Sequence, residues 1–211
     1  MRPIFSEFGR PIFFGIAVAT ALVLSQPLVR AANSPVRIGG PFTLTSPDGT
    51  TVTEQTYRGK WLLVFFGYTS CPDTCPTALL EIAAALTRLG PVADQIQPLF
   101  ITVDPRRDTP AVMGNYTQSF DSRIVGLTGT PQQIAAVAQE YGVYYAAHQS
   151  GRPDAENDII DHSTYLYLMD SEGKFVRGLD ADTPGDRIAE AVRGAMAKTR
   201  DNASHQGRPT R

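Results

Sequence analysis

An unbroken apolar run, Trp-Leu-Leu-Val-Phe-Phe at 61–66, constrains this chain more than any other stretch. Aromatic and β-branched residues in succession leave no polar face, which fits a strand covered on both sides, as in a parallel sheet. Downstream, Leu79, Ile82, Leu86 and Leu89 recur at helical spacing, and Gly90 with Pro91 ends the helix. A second apolar run, Pro-Leu-Phe-Ile-Thr-Val at 98–103, completes a strand–helix–strand order that predicts a parallel βαβ unit.

The flanking patterns extend this unit into a larger domain. Alternating runs at 42–45 and 51–53 bracket Ser46-Pro47-Asp48-Gly49 and predict an opening β-hairpin. Helical patterns at 110–120 and 131–141 enclose a short strand at 124–127. Strands at 164–169 and 174–177 bracket the turn Asp170-Ser171-Glu172-Gly173, and a last helix spans 185–197. Alternation places Leu166 and Leu168 on one face of the first of these strands, with Tyr165, Tyr167 and Met169 on the other. The order predicts an α/β, three-layer fold with a mixed sheet, an N-terminal β-hairpin and inserted helices. With 211 residues and 42% hydrophobic content, one domain with attachments is expected. A balance of 19 basic and 21 acidic residues offers no excess positive charge for a phosphate backbone, which excludes nucleic acid as a partner.

Both ends differ from the middle. Arg2 and Arg10 precede an apolar run at 12–24 that continues weakly to Val29, and small residues follow at Ala31 and Ala32. This is the grammar of a secretory signal peptide or an uncleaved signal anchor over 1–32, with the anchor the reading taken here. Either way the domain at 33–197 is expected to lie outside the cytoplasm. Residues 198–211 carry almost no apolar side chain and are expected to be a disordered tail, in which His205 has no assigned role.

The only two cysteines, Cys71 and Cys75, occupy Cys-Pro-Asp-Thr-Cys-Pro, directly after the first parallel strand and directly before its helix. Loops at the carboxyl ends of strands are where open α/β sheets bind ligands. Pro76 suits a first helical position, so Cys75 is expected at the N-cap and Cys71 in the approaching loop. A thiolate there is stabilised by the helix dipole and unpaired amides. Three readings stand side by side. A structural disulfide would close too small a ring to constrain the unfolded chain much. A redox dithiol fits the neighbouring βαβ unit, although three residues rather than two separate the sulfurs. A soft-metal site suits two thiolates but needs a third donor. His148 reads as a surface histidine in a loop. His162 opens the strand at 163–169 and sits at the mouth of the sheet; a histidine there is more often structural than ligating. Asp161 is positioned to orient its imidazole.

The run Phe-Phe-Gly-Tyr-Thr-Ser-Cys-Pro-Asp-Thr-Cys-Pro at 65–76 resembles the signature of the SCO/SenC family, copper proteins of cytochrome c oxidase assembly. Residues 100–109, 126–130 and Asp161-His162-Ser163 are similar to further stretches of that family, and the match covers about 38–195. The resemblance implies a thioredoxin-like fold and a metal site made of Cys71, Cys75 and His162. It implies copper as the cargo: two thiolates suit Cu(I), and the imidazole admits Cu(II). The expected function is an extracytoplasmic copper metallochaperone rather than an enzyme, delivering copper to the copper-bearing subunit of a terminal cytochrome oxidase. The implied location is the bacterial inner membrane, by one N-terminal span with the domain facing the periplasm, or the periplasm itself if the signal is cleaved. The rivals are a thiol–disulfide oxidoreductase that reduces the oxidase subunit's cysteines, with Cys71 and Cys75 as its redox pair, and a copper or redox sensor module. Zinc meets the same donor types. No proline occurs between Pro153 and Pro184, so Asp161-His162-Ser163 stands where thioredoxin-like reductases place a cis-proline, which favours the metal role. Asp104, Arg106, Arg107 and Asp108 are expected to form a solvated loop ahead of a docking surface.

Overall fold

The apolar run becomes the central strand of a five-stranded sheet in a computed structural model that describes residues 37–147 and 159–206. Strand β3 (Trp61–Gly67) is buried at every position. Its alternation divides the core. Trp61, Leu63 and Phe65 face one cluster, while Leu62, Val64 and Phe66 face the other. β4 (Ile96–Thr102) runs parallel to β3, with Trp61 opposite Ile96 and Gly67 opposite Thr102, and β5 (Val125–Leu127) runs parallel to β4. On the other side β8 (Tyr165–Met169) is antiparallel to β3, and β9 (Phe175–Asp180) is antiparallel to β8. The order β5-β4-β3-β8-β9 is the mixed sheet expected from the sequence. Leu166 and Leu168 join the first cluster and Tyr167 and Met169 the second, as alternation requires.

Helices cover both faces. α1 (Thr74–Leu89) buries Ala78, Leu79, Ile82, Leu86 and Leu89 against Phe65 and Phe100, with Ile188, Ala189 and Val192 of α4 (Gly185–Gln206) beside it. Gly185 allows these two helices to meet: a Cβ there would lie 2.7 Å from the Ala84 Cβ and 2.8 Å from the Glu81 carbonyl oxygen. Met113 of α2 (Pro110–Gln118) belongs to the same cluster. On the opposite face α3 (Pro131–Tyr141) lays Ile134, Val137, Ala138 and Tyr141 over Val64, Phe66 and Ile101. The hairpin of β1 (Thr43–Thr45) and β2 (Thr51–Thr53) adds Leu44 and Val52 to that cluster and is tied to the sheet by the Thr45–Thr128 bridge.

α3 starts with a complete capping box. The Thr130 hydroxyl accepts from the Gln133 amide at 3.2 Å, and the Gln133 side chain accepts from the Thr130 amide at 2.8 Å. Thr130→Ala is therefore expected to lower stability by about 1 kcal/mol in denaturant unfolding while leaving the metal-site chemistry unchanged.

Two expectations require correction. The last helix does not stop at Ala197: α4 continues to Gln206, so the expected tail begins with helix. Lys198, Arg200 and Ala203 are good helix formers, and a polar composition alone does not end a helix already held by packing. His162 does not open the strand at 163–169. It closes a separate short strand, β7 (Ile160–His162), paired antiparallel with β6 (Tyr145–Ala147), and β8 begins only at Tyr165. The expected signal or anchor at 1–32 and His148 fall outside the described residues. Among the described residues no helix is long and apolar enough to cross a membrane.

Candidate metal centre

The three sequence-predicted donors meet. One ligand atom each from Cys71, Cys75 and His162 lies within 4.8 Å of the others, the only such group of three or more among the described residues. The cysteines arrive on the turn between β3 and α1, where the Cys71 amide donates to the Tyr68 carbonyl at 3.2 Å. His162 arrives from the β6–β7 ladder, opposite Tyr145. The Cys75 Sγ lies 3.7 Å from the His162 Nε2.

Cys75 is not the N-cap residue. α1 begins at Thr74 with Asp73 as its cap, so Cys75 and Pro76 both lie inside the first turn. First-turn amides have no intrahelical acceptor, so the missing N–H of Pro76 breaks no helical hydrogen bond there. The Asp73 side chain makes no capping bond, and instead the Cys71 sulfur accepts from the Cys75 amide at 3.5 Å. One sulfur thus occupies the position of an anion at a helix N-terminus. Cys75 is wholly buried and Cys71 partly exposed.

Imidazole orientation follows from a single contact. Its Nδ1 lies 3.0 Å from the Ser163 carbonyl, an acceptor, and this contact turns Nε2 toward the sulfurs. That partner is the Ser163 backbone rather than the expected Asp161 carboxylate. Two aromatic edges fix the ring plane: Phe65, with centroids 6.2 Å apart, and Tyr68, at 5.9 Å and 85°. The Tyr68 hydroxyl also accepts from the Ile160 amide at 3.3 Å, pinning the strand that carries the histidine.

The sulfurs share protons unequally. A hydrogen bond from the Cys75 thiol, then smaller contributions from His162 and backbone amides, pulls Cys71 down from 9.0 to about 3 against the opposing effect of burial. The same bond, burial and the Cys71 charge push Cys75 upward. The pair titrates as one unit that holds a single proton across the neutral range. Below pH 9 the unfolded chain binds the extra proton, so the pair's contribution to stability falls as pH drops toward 3. Above pH 9 the unfolded chain loses both protons while the folded chain retains one, so the contribution falls again. In the reduced, metal-free chain at pH 5, iodoacetamide should alkylate Cys71 and leave Cys75 unmodified, and peptide mapping checks this. Equal labelling of the two would contradict the asymmetry.

Sequence reasoning missed three residues around the donors. Gly67 ends β3 beneath Cys75, where a Cβ would lie 2.4 Å from the Cys75 Sγ and 2.8 Å from the Phe100 ring. A glycine closing an otherwise bulky strand signals such a close approach. Tyr68 has the two roles just described. Asp108 is fully buried and accepts from the Thr69 amide, the Thr69 hydroxyl and the Thr102 hydroxyl. The charged loop is therefore not simply solvated: Asp104 is also buried and pairs with Arg107, whose guanidinium lies 5.8 Å from the Tyr68 ring centre. Only Arg106 of the four is fully exposed. Hydroxyl partners supplied by distant threonines make this burial tolerable. Beside the cysteine turn a cleft of about 470 Å³ opens, lined by Asp73, Thr74, Thr77, Thr164 and residues 180–182.

Two sulfurs and an oriented imidazole nitrogen, with one thiolate already formed, make a donor set suited to a thiophilic ion such as Cu(I). A family model described as SCO1/SenC matches residues 30–197. The chain belongs to the SCO1/SenC family. It is 38% identical over 187 residues to the protein SenC of Rhodobacter capsulatus, a match covering 86% of this chain and 83% of that protein. It is 37% identical over 157 residues to the protein sco1 of Schizosaccharomyces pombe, covering 74% of this chain. The chain spans 60% of that relative's length, less than two thirds. The solved structure of Bradyrhizobium japonicum ScoI with copper bound superposes with a TM-score of 0.68 at 43% identity, covering 75% of this chain and 99% of that one. The SCO1/SenC fold seen here is thioredoxin-like, with Cys71 and Cys75 between the central strand and its helix.

Proposed function

We propose that this SCO1/SenC protein is an extracytoplasmic copper metallochaperone that carries copper on Cys71, Cys75 and His162 and delivers it to the copper-bearing subunit of a terminal cytochrome oxidase. The observation that carries this reading is the convergence of two sulfurs and an oriented imidazole within 4.8 Å. The copper in the Bradyrhizobium relative supports it. Copper is cargo here, and three protein donors leave a coordination position at which a partner's thiol or imidazole can enter. Cys71, the more exposed sulfur, is the donor best placed to be exchanged, while Cys75 and His162 keep hold from the protein side. Metal uptake displaces the remaining thiol proton, so binding weakens as pH falls. Residues 1–32 serve as the signal or anchor that sets the 33–197 domain outside the cytoplasm, and the basic residues Arg2 and Arg10 before the apolar run support that orientation.

The test is a transfer assay. The reduced full-length chain, loaded with one equivalent of Cu(I), is mixed with the metal-free copper-binding domain of an oxidase subunit, and copper is followed on both proteins after separation. Movement of copper to the subunit supports the chaperone, and copper that stays behind counts against it.

A second reading is thiol–disulfide exchange, favoured by the pairing of a partly exposed thiolate at Cys71 with a buried thiol at Cys75. In it Cys71 attacks a disulfide of the oxidase subunit, forming a mixed disulfide and releasing one subunit thiolate. Cys75 then attacks Cys71, freeing the second. This chemistry does not need His162, so reduction of the subunit's disulfide at an undiminished rate by His162→Ala favours it.

A further inference from the structure

Asp108 lies outside the donor triad yet binds the turn that carries it. Its Oδ2 accepts from the Thr69 amide at 3.1 Å and from the Thr102 hydroxyl at 2.5 Å, and its Oδ1 accepts from the Thr69 hydroxyl. The Thr102 oxygen is itself the acceptor for the Asp104 amide at 2.8 Å, so its own proton is directed at Asp108. Every partner is a donor, which is the pattern of an ionised carboxylate. A buried carboxylate without such partners is strongly unfavourable, and satisfying it requires Thr69 and Thr102 to hold these positions.

The consequence is geometric. Thr102 ends β4 inside the sheet, whereas Thr69 lies in the turn two residues before Cys71. The carboxylate therefore clamps the cysteine turn to the rigid end of the neighbouring strand. Tyr68, next to Thr69, accepts the Cys71 amide through its carbonyl and the Ile160 amide through its hydroxyl, and its ring stands at 85° to His162. The turn thus reaches Asp108 directly, and β7 reaches it through Tyr68, the chain neighbour of Thr69.

We propose that Asp108 is the positioning residue of the metal centre: by holding Thr69 it sets the spacing between the cysteine sulfurs and the His162 imidazole. This rests on the reading of those three residues as copper ligands. Asp108 makes no hydrogen bond to any of the three ligand atoms; its hydrogen bonds act through Thr69 and its chain neighbour Tyr68.

The full-length reduced chain is compared with Asp108→Asn, Thr69→Val and Ile96→Ala. Ile96 is a buried core residue that pairs with Trp61 at the opposite end of β3 from Gly67, so it reports general loss of stability. Cu(I) affinity is read by competition with a chromogenic chelator, and the thiolate-to-Cu(II) absorption band reads donor geometry. Alkylation of Cys71 at fixed pH provides a readout without metal. Asp108→Asn should weaken Cu(I) binding by about 10- to 100-fold, the usual effect of removing an outer partner. It should also shift the Cu(II) band and change the Cys71 alkylation rate severalfold. Thr69→Val should move all three in the same direction by less, and Ile96→Ala should melt earlier while leaving all three unchanged. A folded Asp108→Asn chain with wild-type affinity, band and alkylation rate overturns the proposal. If that variant does not fold, Thr69→Val decides on the same readouts, and wild-type values there overturn it. If the wild-type chain takes up no copper, the ligand reading fails on its own, and alkylation still judges Asp108: an altered rate keeps it as the positioning residue of Cys71, and an unchanged rate ends the proposal.

Discussion

Alanine at position 162 should abolish Cu(II) binding by the full-length chain and weaken Cu(I) binding by at least about a hundredfold, while the protein stays folded. The imidazole is the only nitrogen donor in the group, and Cu(II) depends on it more than Cu(I), which two thiolates can still hold. The fold has less at stake. His162 is half-buried, it ends a three-residue strand, and its backbone pairing with Tyr145 survives the substitution. Removing the ring deletes two aromatic edge contacts at the surface of the core, with Phe65 and Tyr68. A stability loss of about 1 kcal/mol follows from that, since a half-buried ring gives up only part of a core side chain's contacts. Competition titration of Cu(I), direct titration of Cu(II) and thermal melting check the three parts. Wild-type copper affinity in His162→Ala would mean that the three-donor site is wrong.

A single methyl group at position 67 is expected to act on both stability and metal. Gly67→Ala places a Cβ within 2.4 Å of the Cys75 Sγ and 2.8 Å of the Phe100 ring. Neither neighbour retreats without cost: both are fully buried, and Phe100 stacks on Phe65 with centroids 6.0 Å apart. The strand is held as well, because the Gly67 carbonyl accepts from the Val103 amide at 2.8 Å. Overpacking at such a site costs about 3 kcal/mol. The cheapest relief is rotation of the Cys75 side chain away from His162, which separates the donors. Gly185→Ala is the matched control. Its Cβ would lie 2.7 Å from Ala84 and 2.8 Å from Glu81 of α1, also under 3 Å, but there it wedges two helices apart about two turns from the cysteines. Both variants should unfold at lower denaturant concentration, and only Gly67→Ala should also lose copper affinity. Equal copper affinities in the two would show that the Cys75 sulfur is not held where β3 places it.

The parts of the fold that the sequence made legible are those with strong periodicity. The run at 61–66 could only be a strand covered twice, and α1 carries its apolar stripe in plain view. The alternation in 165–169 sorted Leu166 from Tyr167 correctly because a strand between two layers has no other way to distribute them. The ladder that carries His162 was hidden for the opposite reason. Three residues are too few for a period, and their partners at 145–147 lie 13 to 17 positions earlier, too far for a tight-turn signal to link them. Local rules also misplaced Cys75. The restriction imposed by Pro76 argues against a helical Cys75, but it is outweighed where first-turn amides need no partner and the Cys71 sulfur takes one of them. Asp108 was unreadable in another way: an aspartate among arginines looks like solvent-facing charge until Thr69 and Thr102 are known to face it. Gly67 alone left a usable sign, a missing side chain at the end of a strand that is otherwise all bulk.

The three proposed donors differ in how far apart they lie along the chain. The cysteines are one helical turn apart, whereas His162 lies 87 positions beyond Cys75. An unfolded chain therefore loses the histidine from the group but keeps both thiols close together, and it remains a competent if weaker ligand for a soft ion. Copper then stabilises the native state only by the ratio of its affinities for the folded and unfolded forms, not by its full affinity for the folded one. Tight binding and a modest rise in melting temperature are accordingly compatible in this protein. The size of that rise measures how much the long-range closure through His162 adds to what a short cysteine pair already provides.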